Sequence, residues 1–210
     1  MLNRVTLPVT PFAQNCSLVW CSDTKQAALI DPGGETERLL AAIAERGLTL
    51  ASILLTHGHL DHVGATGELS PQTGVPVIGP GVDDAFWIEG LAQQVQMFGF
   101  DPVPAFTPDR WLKQGDSVTV GNETLDVVHC PGHTPGHVVF VHEAQRLAFV
   151  GDVLFNGGVG RSDFPRGDHA TLIDAILNTL LPLGDDITFV PGHGPESTFG
   201  HERLHNPYLR

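Results

Sequence analysis

The sequence has few cysteines, and their arrangement excludes two kinds of site. Its 210 residues contain three, Cys16, Cys21 and Cys130. An odd number at scattered spacing forms no paired disulfide framework, and no two of them form a CxxC metal or redox motif. We therefore expect free, buried thiols that serve as small apolar residues in a reducing compartment.

Long hydrophobic runs are also missing. No stretch approaches the roughly 18–20 uncharged apolar residues that span a bilayer, and residues 1–11 have no run typical of a signal peptide. We expect no membrane association and a cytoplasmic location. At 41% hydrophobic residues the chain can nevertheless bury a sizeable core, and its length suits one domain, predicted over residues 1–210.

Positive charge is scarce. Lys and Arg number 11 against 24 Asp and Glu, which gives a formal net charge of −13. Such a surface repels phosphate backbones, so we expect no nucleic-acid partner. No GxSxG motif of a serine hydrolase is present. The glycines between residues 157 and 160 fit neither GxGxxG nor a P-loop.

Short apolar segments separated by Gly and Pro predict a mixed α/β fold. Strands are predicted at residues 16–21, 27–30, 52–56, 75–78, 117–120, 124–128, 138–141, 147–150 and 187–190. Helices are predicted at residues 35–46, 83–98 and 169–181. Helices placed between groups of strands indicate sheets that carry helices on their outer faces.

Four of the predicted strands run directly into side chains that can bind metal ions. These side chains are His57, His59, Asp61, His62, His133, Asp152 and His193. Ligands of open sheets bind beyond the strand ends, where loops supply the functional groups. We therefore expect the four loops to converge on one site.

The loop at residues 57–62 has the strongest metal-binding pattern. Side chains alternate in an extended segment, so His57 and His59 point the same way, with Asp61 and His62 just beyond. Imidazole and carboxylate suit zinc, iron or manganese. A buried cluster of this kind without a metal would carry a heavy desolvation cost. A metal site is favoured over isolated polar or capping residues.

The segment from Thr56 to His62, THGHLDH, matches the THxHxDH signature of the metallo-β-lactamase superfamily. Residues 131–137 (PGHTPGH), 149–155 (FVGDVLF) and 191–194 (PGHG) resemble later motifs of that family, in the same order. The resemblance implies a four-layered αββα sandwich with the site on one edge. Within the superfamily, the sequence resembles the glyoxalase II branch. It resembles the short bacterial form of that branch, because too few residues follow His193 for the C-terminal helical domain of longer members.

The resemblance also implies two divalent metal ions, zinc foremost, with iron or manganese as alternatives. It assigns His57, His59 and His133 to one ion and Asp61, His62 and His193 to the other. Asp152 would bridge both, and Asp61 and Asp152 would be the catalytic residues.

The implied reaction is hydrolysis of a glutathione thioester such as S-lactoylglutathione, by attack of a metal-bridging hydroxide on the thioester carbonyl. A thiolate leaves without strong acid assistance. Arg161 lies in a segment that resembles the glutathione-binding part of the glyoxalase II branch, and is the candidate substrate contact. An ion pair of Arg161 with Asp163 or Asp168 that only orders the loop is an equal alternative.

Other functions stay open on the same fold. An iron-dependent persulfide dioxygenase would by analogy hold one iron at His57, His133 and Asp152. Against it, nothing in the sequence disables the second ligand set. Hydrolysis of another ester or a lactone is a further alternative. A purely structural metal site is disfavoured, because this ligand set leaves coordination positions open.

Overall fold

The protein forms two six-stranded sheets, a short hairpin and a set of helices in the computed structural model, which describes residues 1–210. The strands are β1 (Leu2–Val9), β2 (Gln14–Cys21), β3 (Gln26–Ile30), β4 (Thr49–Leu54), β5 (Val77–Gly81), β6 (Arg110–Leu112), β7 (Ser117–Val120), β8 (Glu123–His129), β9 (Val138–His142), β10 (Leu147–Gly151), β11 (Leu154–Phe155), β12 (Gly158–Val159), β13 (Thr188–Pro191) and β14 (Ser197–Thr198). The α-helices are α1 (Thr36–Glu45), α2 (Leu60–Val63), α3 (Thr66–Thr73), α4 (Ala85–Glu89), α5 (Leu91–Phe98), α6 (His169–Ala175) and α7 (Phe199–His205).

The two sheets differ in strand direction. The first has the order β1 to β6, antiparallel from β1 to β3 and parallel from β3 to β6. The second has the order β14-β13-β10-β9-β8-β7, and only β10 and β13 run parallel in it. The parallel pairs are connected through helices, as crossover connections require.

Side-chain alternation along the strands divides the core into three clusters. In β3, Ala28 and Ile30 face the second sheet and pack with Phe140 and Phe149. Leu29 points the opposite way, into a cluster with residues of α1 to α5. A third cluster joins the far face of the second sheet to α6 and α7. Because successive side chains of a strand alternate between its faces, the result is helix, sheet, sheet, helix. The predicted αββα sandwich is confirmed.

Two helices that were predicted as continuous are interrupted in the structure. The helix expected over residues 83–98 is divided into α4 and α5 at Gly90, because glycine is a poor helix former. The helix expected over residues 169–181 leaves the α conformation after Ala175, continuing as a π turn at Ile176–Leu180 and a 3-10 turn at Leu181–Leu183. Pro182 cannot continue an α-helix, and this accounts for the change.

Several elements lie outside the predicted ones. The edge strand β1 is partly exposed and contains Pro8, which weakens its strand pattern. Helix α3 contains Pro71 and has only a weak apolar face. Strand β6 and helix α7 are short, with three and seven residues, and give little periodic signal.

All three cysteines are free and buried, as expected. None of the helices is long and apolar enough to cross a lipid bilayer. The cytoplasmic location and the single-domain organisation stay predictions.

Replacement of Phe140 by alanine tests the inter-sheet core. Its ring is fully buried between the two sheets, so we expect the free energy of unfolding to fall by about 3–5 kcal/mol. Denaturant unfolding measures this, with Leu204→Ala, at an exposed position of α7, as the control. A loss below about 1 kcal/mol would contradict the assigned packing.

Candidate metal centre and its cavity

The sheet topology brings three of the metal-capable loops to one edge. Strands β8 and β10 run in the same direction because β9 lies antiparallel between them, and β13 runs parallel to β10. Their carboxyl ends therefore coincide. The loops that follow these strands carry His133, Asp152 and His193.

The fourth loop joins from the other sheet. It follows β4 and continues into α2, and it is fastened to the second sheet by the backbone bond from Val138 N–H to the Thr56 carbonyl, 2.8 Å. The loop of His193 approaches closely because residue 192 is glycine. A Cβ atom at Gly192 would lie 2.0 Å from Oδ1 of Asp152. The four loops thus meet at the predicted edge.

Three imidazole nitrogens form the first cluster. Nε2 of His57 lies 3.1 Å from Nδ1 of His59, and Nε2 of His133 lies 2.9 Å from the same atom. All three side chains are buried. A tetrahedral zinc site with bonds of about 2.0–2.1 Å has nitrogen–nitrogen edges of about 3.3 Å. The two distances are slightly shorter than such an edge, and all three ligand atoms lie within 4.8 Å of one another, near enough to share one ion.

Hydrogen bonds on the outer side of the rings set which nitrogen carries the proton. Nδ1 of His57 lies 3.0 Å from the Thr56 hydroxyl, whose own proton is donated to Asp31 at 2.6 Å. His57 is therefore the donor to Thr56. Nδ1 of His133 donates to the Arg161 carbonyl, 2.6 Å. Both rings consequently present the Nε2 lone pair to the cluster.

This arrangement is a direct test of whether a cation fits. The two Nε2 atoms have lone pairs and no protons, and both face Nδ1 of His59. One proton on that atom would serve only one of them, since a hydrogen bond needs a donor for each acceptor. A cation accepts all three lone pairs at once. The residues present therefore fit a metal ion.

The second cluster consists of Asp61, His62 and His193. Nε2 of His193 lies 3.1 Å from Oδ2 of Asp61, and Nε2 of His62 lies 3.9 Å from the same oxygen. The outer nitrogens are again occupied. Nδ1 of His62 donates to Asp31 at 2.9 Å, and Nδ1 of His193 donates to the Phe12 carbonyl at 3.1 Å.

Asp152 lies between the two clusters. Its Oδ1 is 3.3 Å from Nε2 of His62, whereas its Oδ2 is 3.7 Å from Nε2 of both His133 and His193. The carboxylate thus faces both sets of imidazoles at once. Oδ1 of Asp152 and Nε2 of His62 are also buried without a hydrogen-bond partner. Burying these two atoms without a hydrogen-bond partner costs free energy, unless a bound cation interacts with them.

The charges of the site favour bound cations. Burial lowers the pKa values of His57, His59 and His133 and keeps these imidazoles neutral, as metal ligation requires. Burial alone would raise the pKa of Asp152, but the neighbouring imidazoles, His62 foremost, hold it well below its usual range. Burial also opposes a charge on His62, yet the carboxylates of Asp152 and Asp61 raise its pKa well above the ordinary value.

Asp84 is a functional residue that the sequence analysis missed. It is fully buried, and its carboxylate accepts the Gly58 N–H at 2.9 Å, the Thr134 hydroxyl at 2.7 Å and the Gly136 N–H at 2.6 Å. It therefore joins the loop of His57 and His59 to the loop of His133. Burial raises the pKa of Asp84 to about 6. No spacing motif indicated it, because its partners are distant in sequence.

Gln94 and His137 support the same loops. Oε1 of Gln94 accepts the Leu60 N–H at 2.9 Å, and its amide donates to the Trp87 carbonyl at 2.9 Å. The ring of His137 stacks on His57 at 4.7 Å, and its Nε2 accepts the Asp152 N–H at 3.1 Å. These contacts hold the ring of His57 and the backbone at Leu60 and Asp152 in place.

Arg161 is engaged in the ion pair that the sequence left as an alternative. Its guanidinium forms a two-pronged contact with Asp163, at 3.0 and 2.9 Å, and lies 4.3 Å from the ring centroid of Phe164. Asp168 instead caps α6 by accepting the Thr171 N–H at 2.7 Å. Arg161 nevertheless lines the cavity described next.

A cavity of about 580 Å³ opens onto the two clusters. His59, Asp61, His133, Asp152 and His193 all reach it. Much of the remaining wall is aromatic, formed by Phe12, Phe86, Trp87, Phe98, Phe155 and Phe164. A concave, largely apolar cavity with a few convergent polar groups is typical of an enzyme active site.

A family model of the metallo-β-lactamase superfamily matches residues 9–193. The chain belongs to this superfamily. With the two His/Asp clusters, this establishes a site for divalent metal ions.

Known proteins resemble the chain along its whole length. It is 51% identical to hydroxyacylglutathione hydrolase GloC of Haemophilus influenzae, over 99% of this chain and 98% of that protein. BLEG-1 B3 metallo-β-lactamase is 36% identical with a TM-score of 0.90, covering 100% of this chain and 99% of its own. TTHA1623 in a di-iron-bound form is 38% identical with a TM-score of 0.89, covering 98% and 100%.

Replacement of Asp84 by asparagine tests its role in joining the loops. The amide group would face at least one donor that the carboxylate now accepts, so we expect stability to fall by about 1–3 kcal/mol. The affinity for zinc should fall about 10- to 100-fold, as for other residues that orient metal ligands. Thermal unfolding and zinc titration measure the two effects. Asp83→Asn, at the exposed neighbouring carboxylate, is the matched control, and equal zinc affinities in both variants would contradict the role.

Proposed function

We propose that this protein hydrolyses glutathione thioesters such as S-lactoylglutathione. The observation that carries the proposal is the 51% identity to a hydroxyacylglutathione hydrolase over nearly the full length of both chains. The imidazole lone pairs that converge beside this largely apolar cavity supply the metal ligands such a reaction needs.

His57, His59 and His133 would hold one metal ion, and Asp61, His62 and His193 the other. Asp152 would contact both, since its carboxylate lies near imidazoles of both sets. Zinc suits this ligand set, and the di-iron-bound form of a related structure makes iron the main alternative, with manganese also suited.

When bound, such ions supply a hydroxide near neutral pH and polarise the thioester carbonyl. The protein's own residues orient the reactants and move protons. Asp61 reaches the cavity with a half-buried carboxylate and would orient the attacking water and accept its proton. Water adds to the carbonyl carbon, the carbon–sulfur bond breaks, and the thiolate departs without a strong acid because thiol pKa values lie near 8.5.

The aromatic wall has its own part in this reaction. Trp87 and Phe164 flank the ring of His59, with ring centroids 4.5 and 5.0 Å away. They limit the access of bulk water to one side of the site, which strengthens every charge interaction inside it.

A second candidate function is β-lactam hydrolysis, favoured by the TM-score of 0.90 to a protein named as a B3 metallo-β-lactamase. The attack on the carbonyl would be the same, but the leaving amine needs a proton that a thiolate does not. A persulfide dioxygenase is disfavoured because Asp61, His62 and His193 form a second ligand cluster beside the first.

Turnover of S-lactoylglutathione by the zinc-loaded protein tests the proposal. We expect loss of the thioester absorbance, release of free thiol and no consumption of dissolved oxygen. Nitrocefin serves as the parallel substrate for β-lactam hydrolysis. Oxygen consumption with glutathione persulfide, or turnover of nitrocefin alone, would overturn the proposal.

Asp152→Ala tests the shared carboxylate. We expect activity to fall more than about 100-fold and the protein to lose bound metal while its far-ultraviolet circular dichroism stays unchanged. Metal content by mass spectrometry is the second readout. Asp126→Ala removes an exposed carboxylate from β8 and should leave both unchanged. A variant at position 152 that kept two metals and full turnover would contradict the assignment.

Arg161→Ala tests the substrate contact proposed from the sequence. Asp163 already neutralises this guanidinium, whose side chain is 66% exposed, so we expect KM to rise only about threefold, with kcat nearly constant. Steady-state kinetics with S-lactoylglutathione measure both. Unchanged kinetics would leave Arg161 with a structural part alone, through its pair with Asp163.

A further inference from the structure

Arg166 is a cation at the cavity rim that no carboxylate neutralises. Apart from Arg166 and the terminal Arg210, every arginine of the chain forms an ion pair. Arg166 is exposed, and it makes no side-chain hydrogen bond. In a chain with a formal net charge of −13, an unpaired guanidinium beside the cavity is uncommon.

The backbone holds Arg166 in a conformation that arginine disfavours. The Gly167 N–H bonds to the Phe164 carbonyl at 2.8 Å, which closes a turn with Pro165 and Arg166 at its centre. Arg166 has φ of 63°, in the left-handed region. The third position of such a turn is usually glycine or asparagine, because a Cβ atom is unfavourable there. The side chain is therefore present despite a local cost.

This turn aims the guanidinium at the cavity wall. Phe164, at the start of the turn, has its ring centroid 5.0 Å from that of His59 in the first metal cluster. The guanidinium carbon of Arg166 lies 4.1 Å from the ring centroid of Phe86, and both Phe86 and Pro165 line the cavity. Stacking fixes the plane of the guanidinium and leaves its N–H groups free to donate at the rim.

Glutathione thioesters are net anions with two free carboxylates, both several bonds away from the reacting carbonyl. Arg161 lines the cavity but is already bound to Asp163, whereas Arg166 lies beside the cavity, against the lining residue Phe86. We propose that Arg166, stacked on Phe86 at the cavity rim, binds a carboxylate of the glutathione moiety and gives the enzyme its preference for anionic thioesters. This inference rests on the proposed thioester hydrolysis and adds a substrate-binding residue to it.

Arg166→Gly separates binding from structure, because glycine suits the left-handed turn. We expect the melting temperature to stay within about 2 °C of the wild-type value. KM for S-lactoylglutathione should rise about tenfold, as for loss of a charge-assisted hydrogen bond, with kcat nearly constant. Arg166→Lys keeps the charge without the planar fork and should recover part of the loss.

Lys25→Gly is the matched control. Lys25 is an exposed cation in the left-handed region, with φ of 60°, in the turn between β2 and β3. The substitution removes the same charge and the same backbone cost outside the cavity. It should leave KM unchanged. A rise in KM equal to that of Arg166→Gly would trace the effect to net charge and overturn the proposal.

A neutral thioester isolates the carboxylate contact. S-Lactoyl-N-acetylcysteamine has the same acyl group and no charge, so its kcat/KM should be the same in the wild type and in Arg166→Gly. The wild-type preference for S-lactoylglutathione over this compound should fall about tenfold in the variant and weaken with added salt. Equal losses for both substrates would show that Arg166 only shapes the wall, and would overturn the proposal.

Binding of S-hexylglutathione, a thioether that cannot be hydrolysed, tests Arg166 even if no thioester is turned over. Isothermal titration of the zinc-loaded protein should give a Kd about tenfold higher for Arg166→Gly than for the wild type. An equal Kd, or no binding to the wild type, overturns the role of Arg166. Binding that depends on Arg166 without thioester turnover would instead reject the proposed reaction alone.

Discussion

The structure depends on the direction of a few imidazole lone pairs. His57, His62, His133 and His193 each donate the Nδ1 proton outward, to a hydroxyl, a carboxylate or a backbone carbonyl. For His57 and His133, whose pKa values burial lowers, Nε2 is thereby left without a proton and turned inward. Neutral lone pairs that face each other inside a protein are tolerated only if a cation accepts them. The outer acceptors, not the histidines alone, therefore define the metal centre.

Loops that follow strands of the first sheet carry two buried carboxylates that hold the site together. Asp31 follows β3 and has φ of 54°. Its carboxylate accepts hydrogen bonds from Thr56, in the loop after β4, and from His62, in α2. Asp84 fastens the β4 loop to the loop after β8. Neither carboxylate needs to contact a metal. Asp31 accepts from donors on its own side of the molecule, whereas Asp84 accepts from loops of both sheets, so its hydrogen bonds stabilise the site and the contact between the sheets together.

Much of the fold was predictable because its signals are local. Apolar strands that end in histidine or aspartate identify both the sheets and the loops beyond them. The sequence pattern hides the helix breaks at Gly90 and Pro182, although both residues are poor helix formers, because the apolar period continues through them. Asp84, Gln94 and Arg166 had no sequence signal at all. Their roles come from tertiary neighbours, and a spacing pattern records only neighbours along the chain.

The charge distribution explains why the sequence alone does not indicate Arg166, the proposed substrate contact. An acidic chain repels an anionic substrate at long range, so recognition depends on the few cations that stay unpaired near the site. Sequence favours Arg161, which lies in a familiar segment, but its charge is bound to Asp163. Arg166 lies only five positions on, and its guanidinium stacks on an aromatic ring instead of a carboxylate. Two arginines of one loop thus differ in their partners. The guanidinium bound to a carboxylate is already neutralised, whereas the one stacked on an aromatic ring keeps its N–H groups free to bind an anion.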